Sequence, residues 1–287
     1  MANEIEDGGG PETEHHTAAS GELSPVSGLD HLHYVERDAV GLITIDRPAV
    51  HNAISLATMA ELDRVLNWLE VNSRVGAVVL TGAGDRIFVS GGDLKDFAQL
   101  ETHEAAAAMS RRMQSLMARL EMLPIPVIGA INGDCLGGGC ELALAADMRL
   151  VSDGSHFGFK QVALGITPAW GGRRRLVRLI GRAKALMLLL SGELLDAHEA
   201  ERIGLADKVV PRGRALAAAI ELAQQLAANP PLAVRAIKRA VNYDSATSDA
   251  ESIAFEADLF AETWISSDHQ EALAARRERR PPKFKGS

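Results

Sequence analysis

Two glycine-rich turns carry the residue types best suited to chemistry by the backbone. The first, Ser90–Leu94, reads SGGDL, and the second, Leu136–Leu142, reads LGGGCEL. Glycine permits backbone conformations and close approaches that a side chain blocks. Two such turns at strand ends can aim two N–H groups at one oxygen, which is the arrangement of an oxyanion hole. The same glycines also suit tight turns and close helix–strand packing, and the turns alone leave both interpretations open.

Glu141 is the acidic residue inside the second turn. It falls in the first turn of a predicted helix whose next residues, Leu142–Ala146, are all apolar. A carboxylate there is partly buried and lies near the positive end of the helix. It is either a general base or an acid that complements the helix dipole, and its surroundings favour neither interpretation.

The composition narrows the class of protein. A formal net charge of −8 over 287 residues argues against nucleic acid as a partner, because such binders usually present a basic face. No segment reaches the ~20 apolar residues of a membrane span, so we expect no membrane partner. The two cysteines, Cys135 and Cys140, have no His or Cys cluster near them, so we expect buried thiols and no metal site.

Residues 1–28 form an acidic leader. This segment contains six Asp and Glu residues and no Lys or Arg. A signal peptide needs a basic start and an apolar stretch, and a transit peptide needs Arg and few acids. We therefore expect a disordered leader and a cytoplasmic protein.

The chain from residue 32 onward alternates strands and helices. Strands are predicted at 33–37 and 41–46 around a turn at Asp38-Ala39, and Ser55 is the predicted N-cap of a helix. Further strands are predicted at 75–81, 87–89, 127–131 and 148–152, and further helices at 104–123 and 139–146. This alternation predicts an α/β fold with a parallel sheet.

The pattern changes after Trp170. Helices are predicted at 174–190, 197–203, 213–228, 231–241, 246–265 and 269–280, and the segment 208–210 alone is strand-like. We therefore divide the chain into the leader, a core over 29–200 and a helical region over 201–287, and we expect the last third not to continue the sheet.

A series of short motifs follows a specific order along the chain. The segments are DRP at 46–48, NA at 52–53, SGGDLK at 90–95, PVIGAING at 126–133, GGGCEL at 137–142, FG at 157–158, LGI at 164–166, GG at 171–172, SGE at 191–193 and PKFKG at 282–286. Each is weak alone. Together they resemble the crotonase superfamily, also called the enoyl-CoA hydratase/isomerase family, over nearly all of Leu32–Gly286.

The resemblance implies a fold, a substrate class and an assembly. The fold is α/β, a crotonase-like spiral of ββα units over the core, with a C-terminal helical region that forms homotrimers or homohexamers. The substrate is an acyl-CoA thioester. No metal and no separate cofactor are implied, because coenzyme A is part of the substrate.

The resemblance also implies the site residues. The N–H groups of Gly92 and Gly138 would form the oxyanion hole, and Glu141 matches the first of two catalytic glutamates. Backbone near the first glycine turn would line the coenzyme A site, which two C-terminal side chains would approach. The implied substrate-binding residues are Ala49, His51, Ala53, Ser90, Gly91, Asp93, Leu94, Lys95, Lys160, Trp170, Phe260 and Lys283.

Gln161 departs from the family pattern, since it stands where family hydratases carry the second glutamate. An amide orients water by hydrogen bonding but does not exchange protons near neutral pH. Hydration of a double bond needs a base for water and an acid for the α-carbon. The sequence therefore predicts that Glu141 serves both steps in turn if hydration is the reaction.

Lys160 and Trp170 support a different reaction. Their setting is similar to that of family members that decarboxylate malonyl-type thioesters, such as methylmalonyl-CoA or ethylmalonyl-CoA, in which loss of carbon dioxide gives the enolate without a base. A solvent-facing lysine and a packing tryptophan are the simpler interpretations of these two residues. We favour hydratase-like or isomerase-like activity, with decarboxylation and a low-activity acyl-CoA-binding homologue as alternatives.

Overall fold

The computed structural model describes residues 24–244 and 248–287. It confirms the predicted α/β fold with a largely helical C-terminal part. Most of the predicted disordered leader, residues 1–23, lies outside the described residues. Val26, within the predicted leader, and Leu29 are half-buried and pack against the core, so the described part of the chain is docked from before residue 29.

An antiparallel hairpin opens the described core. Strands β1 (Leu32–Arg37) and β2 (Val40–Ile45) pair in register, with Arg37 opposite Val40. The two turn residues, Asp38 and Ala39, have φ values of 51° and 62°. Two turn residues in the left-handed backbone conformation match the right-handed twist of the flanking strands. The predicted turn is therefore confirmed.

The larger sheet continues from β2 as parallel strands. These are β3 (Ala77–Gly82), β5 (Val127–Ile131), β7 (Met148–Ser152) and β10 (Lys208–Val210), and the sheet order is β1-β2-β3-β5-β7-β10. Every residue of β3 and β5 is buried, which explains their continuous apolar runs. Since β10 joins this sheet, the expectation that the last third does not continue the sheet was wrong for that strand.

A second, smaller sheet includes the strands that precede the two glycine-rich turns. It contains β4 (Ile87–Val89), β6 (Asp134–Leu136), β8 (His156–Gly158) and β9 (Leu194–Asp196), in that order. Of these strands, β4 was predicted and the other three were missed. Each has three residues, which is too short for a period-two pattern to stand out.

The helices before residue 230 follow the predicted positions, apart from the helix Leu94–Phe97, which was not predicted, and one predicted helix that is divided in two. They are α1 (Leu56–Val71), α2 (Leu94–Phe97), α3 (His103–Met122), α4 (Gly138–Ala143), α5 (Gly172–Ile180), α6 (Arg182–Ser191), α7 (Ala197–Arg202) and α8 (Ala215–Ala227). Ser55 caps α1, as predicted, by accepting a hydrogen bond from Thr58 N–H. The single helix predicted at 174–190 is two helices, because Gly181 with φ 80° interrupts it.

Three helices end the chain: α9 (Pro231–Asp244), α10 (Asp249–Trp264) and α11 (Ser267–Glu278). The buried ammonium of Lys238 on α9 lies 2.6 Å from Asp147 and donates to the carbonyl of Ile125, which fastens α9 to the core. No helix in the described ranges is long and apolar enough to cross a membrane. The division of the chain at residue 200 stays a prediction.

Candidate active site

The two glycine turns meet at the ends of β4 and β6. Gly91 has a φ of 113°, and a Cβ atom built on it would lie 2.9 Å from the backbone nitrogen of Gly138. A side chain at residue 91 would therefore cover the N–H group of Gly138. The first turn needs glycine at this position for both its conformation and its close approach.

The N–H groups of Gly92 and Gly138 are both left out of the surrounding hydrogen-bond ladder. Gly92 forms a bridge with Ile54 in which Ile54 N–H donates to Gly91 and Asp93 N–H donates to Ile54. Gly138 is the first residue of α4, so its N–H has no carbonyl one turn earlier to donate to. Within the described ranges neither group donates to another part of the chain, so both can donate to a ligand oxygen.

Gly139 serves packing rather than ligand binding. A Cβ atom on Gly139 would lie 1.9 Å from the carbonyl oxygen of Val89, so only glycine lets α4 approach β4 this closely. The two interpretations of the glycine turns therefore apply to different residues. Gly139 sets the packing, while Gly92 and Gly138 present backbone donors.

The loop that carries Ala49 and His51 lies beside the first glycine turn. Ala49 is exposed in a 3₁₀ turn, Pro48–Val50, and His51 follows it in the left-handed conformation. The carbonyl of His51 accepts a hydrogen bond of 3.1 Å from Ser90 N–H. This bond places Ala49 and His51 next to the turn, as the resemblance implied.

Two side chains outside the predicted set of site residues hold this loop in place. The Arg47 guanidinium donates to the carbonyl of Ala53 at 2.5 Å and to Asp93 at 2.9 Å. The buried Asn52 amide donates to the carbonyl of Ile87 at 2.9 Å. Both residues lie in the DRP and NA motifs, so the motifs themselves were the signal for this positioning role.

Helix α2 continues the first glycine turn toward solvent. Asp93 caps it by accepting hydrogen bonds from the N–H groups of Lys95 and Asp96. Leu94 and Lys95 are exposed, so their side chains are open to a ligand at the surface. The structure thus brings together the predicted substrate-binding residues from Ala49 to Lys95.

Glu141 is buried and accepts four hydrogen bonds. Its Oε2 atom accepts from the N–H groups of Trp170 and Gly172, both at 2.8 Å. Its Oε1 atom accepts from Ala169 N–H at 3.2 Å and from the Gln161 amide at 3.1 Å. Oε2 is therefore the anchored oxygen, and Oε1, with the two longer bonds, is the oxygen better able to exchange a partner.

Burial raises the pKa of the Glu141 carboxyl above its ordinary value of 4.5, and the hydrogen bonds from Gly172, Trp170, Ala169 and Gln161 oppose that rise. A carboxyl with a raised pKa is better matched to proton transfer near neutral pH than an ordinary one. The short α4 also places it near backbone donors. This environment suits an acid/base group, and the catalytic role of Glu141 stays a prediction.

Gln161 lies in a 3₁₀ turn, Lys160–Leu164, and is buried against Glu141. Because a carboxylate only accepts hydrogen bonds, the amide must direct its Nε2 toward Glu141. Its Oε1 atom is buried and has no hydrogen-bond partner in the described part of the chain. A buried acceptor without a partner is costly in an ordinary core, so this oxygen is suited to a ligand donor.

Trp170 lies between Glu141 and Gly138. Its backbone N–H donates to the Glu141 carboxylate. A Cβ atom added to Gly138 would lie 2.3 Å from Cζ3 of the indole. The side chain is 4% exposed. The ring therefore lies directly against the glycine whose N–H is a predicted oxyanion donor.

The Lys160 side chain contacts the C-terminal end of α6. Its ammonium donates a 2.6 Å hydrogen bond to the carbonyl of Gly192, which is the C-cap of that helix. The side chain is half-buried, so it is not the solvent-facing lysine of the simpler interpretation. Its role toward a substrate carboxylate stays a prediction.

Phe260 and Lys283 lie in the C-terminal part, and their contacts within the described ranges are to other C-terminal residues. Phe260 is exposed on α10 and stacks on Trp264 with ring centroids 5.4 Å apart. Lys283 is exposed, and its N–H donates to Glu271. Their predicted roles in coenzyme A binding stay predictions.

Ser110 and Gln114 are positioning residues that sequence reasoning missed. Both lie on α3 and donate to the carbonyl of Ala169, at 2.7 Å and 3.1 Å. Their helix is ordinary in composition, so nothing in the sequence marked these two polar side chains. They fasten the turn that carries Trp170.

Sequence comparison identifies a family that spans nearly the whole described chain. The family model for enoyl-CoA hydratase/isomerase matches residues 36–287. The short-chain-enoyl-CoA hydratase of Clostridium acetobutylicum is 39% identical over 241 residues, which cover 84% of this chain and 92% of that protein. The 2,3-dehydroadipyl-CoA hydratase of Escherichia coli is 35% identical over 245 residues, which cover 85% and 94%.

Structure comparison agrees with the sequence. The crystal structure of an enoyl-CoA hydratase from Bacillus anthracis superposes with a TM-score of 0.86 at 34% identity, and the match covers 90% of this chain and 100% of that one. The similarity therefore includes the fold and not only the motifs.

Proposed function

The chain belongs to the enoyl-CoA hydratase/isomerase family, and from that premise we propose that it adds water across the double bond of a 2-enoyl-CoA thioester. The buried, unpartnered Oε1 of Gln161 beside Glu141 carries this proposal. It supplies a second acceptor where the family pattern has a second carboxylate. One carboxylate and one amide oxygen are enough to hold a water molecule by both of its hydrogens.

The thioester carbonyl would accept hydrogen bonds from Gly92 N–H and Gly138 N–H. Negative charge develops on this oxygen when water adds to the β-carbon and an enolate forms. Donors already in place typically contribute about 3–4 kcal/mol each to such a transition state. Support for this role comes from the two N–H groups, which the local ladder leaves free.

The water would lie between the Oε1 atoms of Glu141 and Gln161. The Gln161 amide nitrogen is 3.1 Å from Glu141 Oε1, so the amide oxygen is within about 6 Å of it. Water can donate one hydrogen to each oxygen when the carboxylate gives up one of its two longer hydrogen bonds. Its lone pair is then free to attack the β-carbon.

Glu141 would carry out both proton transfers of the reaction. It removes a proton from water as the oxygen bonds to the β-carbon, and it returns that proton to the α-carbon of the enolate. The product gains one hydroxyl and one hydrogen, and Glu141 ends the cycle ionised as it began. Gln161 orients the water and transfers no proton.

Coenzyme A, as part of the substrate, would bind along the first glycine turn and α2, and no separate cofactor is needed for these steps. We also propose a homotrimer or homohexamer. Apolar side chains exposed on and beside α9 and α10 support an assembly surface there: Ile237, Val241, Ile253, Phe260, Trp264 and Ile265. Light scattering on the purified full-length chain tests this, and a monomer at micromolar concentration contradicts it.

Turnover on a thioester panel tests the proposed reaction. Purified protein is assayed with crotonyl-CoA for hydration, with a 3-enoyl-CoA for isomerisation, and with ethylmalonyl-CoA for release of carbon dioxide. We expect hydration to be the fastest reaction, with one deuterium incorporated at the α-carbon in D₂O. Faster decarboxylation, or binding of butanoyl-CoA without any turnover, contradicts the proposal and supports the corresponding alternative.

A further inference from the structure

We propose that the indole of Trp170 sets the size of the acyl group and restricts the enzyme to short, unbranched 2-enoyl thioesters. This inference rests on the proposed function, since it assumes that the thioester oxygen binds between Gly92 and Gly138. It assigns specificity to a residue that takes no part in moving protons.

The position of Trp170 is the first support. Its backbone N–H is bonded to the Glu141 carboxylate, and its six-membered ring lies against the α-carbon of Gly138. The α- and β-carbons of a bound enoyl group must lie between these same two groups, because the carbonyl meets Gly138 and the proton-transfer group is Glu141. The indole therefore forms the wall next to the first acyl carbons.

The second observation that supports the proposal is that several hydrogen bonds hold the turn that carries Trp170 in place. Ser110 and Gln114 donate to the carbonyl of Ala169, the residue before Trp170. The carbonyl of Trp170 accepts from Arg175, which is buried and paired with Glu121 at 2.7 Å.

Gly172 completes this fastening from the other end of the turn. A Cβ atom on Gly172 would lie 2.4 Å from Cγ of Glu141, so the turn is packed directly against that side chain. Trp170 cannot move away as part of the turn without breaking the hydrogen bonds to Glu141. An acyl chain that needs the volume of the indole must therefore break those bonds or bind elsewhere.

The consequence is selection by chain length. In an apolar pocket one methylene group typically changes kcat/KM by about 10- to 200-fold, and a fixed wall converts added methylenes from favourable to unfavourable. We expect the wild-type enzyme to prefer crotonyl-CoA over trans-2-decenoyl-CoA by at least about tenfold in kcat/KM. Removing the ring should open room for the longer chain.

Chain-length profiles of Trp170→Ala and Trp170→Phe test the inference. The kcat/KM for crotonyl-CoA and for trans-2-decenoyl-CoA is measured for each variant and for the wild type. We expect Trp170→Ala to raise the decenoyl-to-crotonyl ratio by about tenfold or more, and Trp170→Phe to raise it less. If Trp170→Ala does not fold, the milder variant still decides, since an unchanged ratio in Trp170→Phe overturns the proposal.

Trp68→Phe is the matched control. Trp68 is half-buried on α1, and its indole N–H donates to Glu36 at 2.6 Å, so this variant also loses packing and stability but lies away from the site. We expect its decenoyl-to-crotonyl ratio to equal that of the wild type. A shift of the same size as in the Trp170 variants would assign the effect to general loosening and overturn the inference.

A binding measurement separates this inference from the proposed reaction. The affinities of butanoyl-CoA and decanoyl-CoA for wild type and Trp170→Ala are measured by calorimetry, which needs no turnover. If the wild type hydrates neither enoyl thioester, the proposed function fails, and a selective gain in decanoyl-CoA affinity in Trp170→Ala still supports the wall. If both saturated thioesters bind the variant and the wild type in the same ratio, Trp170 does not set acyl size.

Discussion

The first glycine turn and the segment 159–172 build the same site by different means. The turn contributes one backbone donor, the N–H group of Gly92, and a Cβ atom added to Gly91 or Gly92 would collide with Gly138 or Phe97. The later segment contributes side chains and their hydrogen bonds, with Gln161, Trp170 and the backbone N–H groups of Ala169 and Gly172 arranged around Glu141.

The difference teaches what can vary in such a site. A backbone donor depends on the conformation of the chain and not on a side chain, so this part of the site requires glycine wherever a Cβ atom would collide. A side chain that faces the substrate can be exchanged, and Gln161 is such a case, because it stands where the resemblance implies a second glutamate. We therefore expect the turns to determine the intermediate that is stabilised, and the later segment to determine which substrate forms it and how protons move.

Replacing Glu141, the carboxylate that the later segment surrounds, with Gln should have the largest effect of all. The variant keeps the shape of the side chain but cannot exchange protons, so hydration should fall by about 10²- to 10⁴-fold, the usual contribution of a general acid/base. Steady-state hydration of crotonyl-CoA measures the loss. Binding of butanoyl-CoA should change little, and hydration at the wild-type rate would remove Glu141 from proton transfer.

Replacing Gly138 with Ala should have the largest effect on the glycine turns. The new Cβ atom would lie 2.3 Å from the Trp170 ring, so the backbone donor must shift. We expect turnover of crotonyl-CoA to fall by about 10²- to 10³-fold, as for loss of one oxyanion donor.

Gly129→Ala, in β5, is the control for that variant. Its Cβ atom would meet Ile131 at 3.4 Å, and its other nearest neighbours are no closer, so its accommodation needs little movement. We expect its turnover to be near that of the wild type. If the two glycine variants lose activity equally, the loss reports core packing and not an oxyanion donor.

Much of this arrangement was predictable from the sequence, because its signals are local. The turn at Asp38-Ala39, the cap at Ser55 and the buried strands 127–131 and 148–152 follow from turn chemistry, capping and apolar runs, and each is confirmed. The family also followed from ordered short motifs and is confirmed by the match over residues 36–287.

The features that were missed depend on contacts between distant segments. The three-residue strand β6 exists because β4 and β8 pair with it, and its own sequence has no length in which to show a period. Ser110 on α3 meets the carbonyl of Ala169 across 59 positions. The four donors around Glu141 likewise follow from the fold of the 159–172 segment and not from any residue type.

Replacing Gln161 should have a smaller effect that depends on the substitute. Gln161→Leu removes the hydrogen bond that the Gln161 amide donates to Glu141, and it removes the free acceptor. A hydrogen bond to a charged group contributes about 1.5–3 kcal/mol, which corresponds to a rate effect of roughly 10- to 100-fold. We expect that loss in kcat for crotonyl-CoA. Gln161→Glu keeps an acceptor at this position and adds a second carboxylate, so its activity should match or exceed that of the wild type at alkaline pH.

The acid limb of the pH profile distinguishes these two variants. A second carboxylate beside Glu141 disfavours the ionised form of both groups, so in Gln161→Glu the acid limb of kcat/KM should move to higher pH. A limb that stays in place would mean that residue 161 does not contact the group that titrates. Faster decarboxylation of ethylmalonyl-CoA by Gln161→Glu, together with intact hydration by Glu141→Gln, would contradict both the hydration mechanism and the decarboxylation mechanism.

The pH dependence of stability should show the smallest effect, and it separates the buried carboxylate from the backbone turns. Burial raises the pKa of Glu141 in the folded protein above its ordinary value of 4.5, so the folded state binds more protons than the unfolded state over the interval between the two pKa values. The stability that this group contributes is present below the pKa of the unfolded state and is lost as pH rises through the pKa of the folded state.

The Glu141→Gln variant has no carboxyl group at this position, so it does not lose stability in this way. The difference in free energy of unfolding between wild type and variant should therefore move in favour of the variant as pH rises above 4.5, whereas the difference between wild type and Gly138→Ala should stay constant. Urea titrations across that range measure both differences. A wild-type advantage over Glu141→Gln that grows with pH would show that the four hydrogen bonds outweigh burial, which would make Glu141 a structural anchor of the turn and not the base.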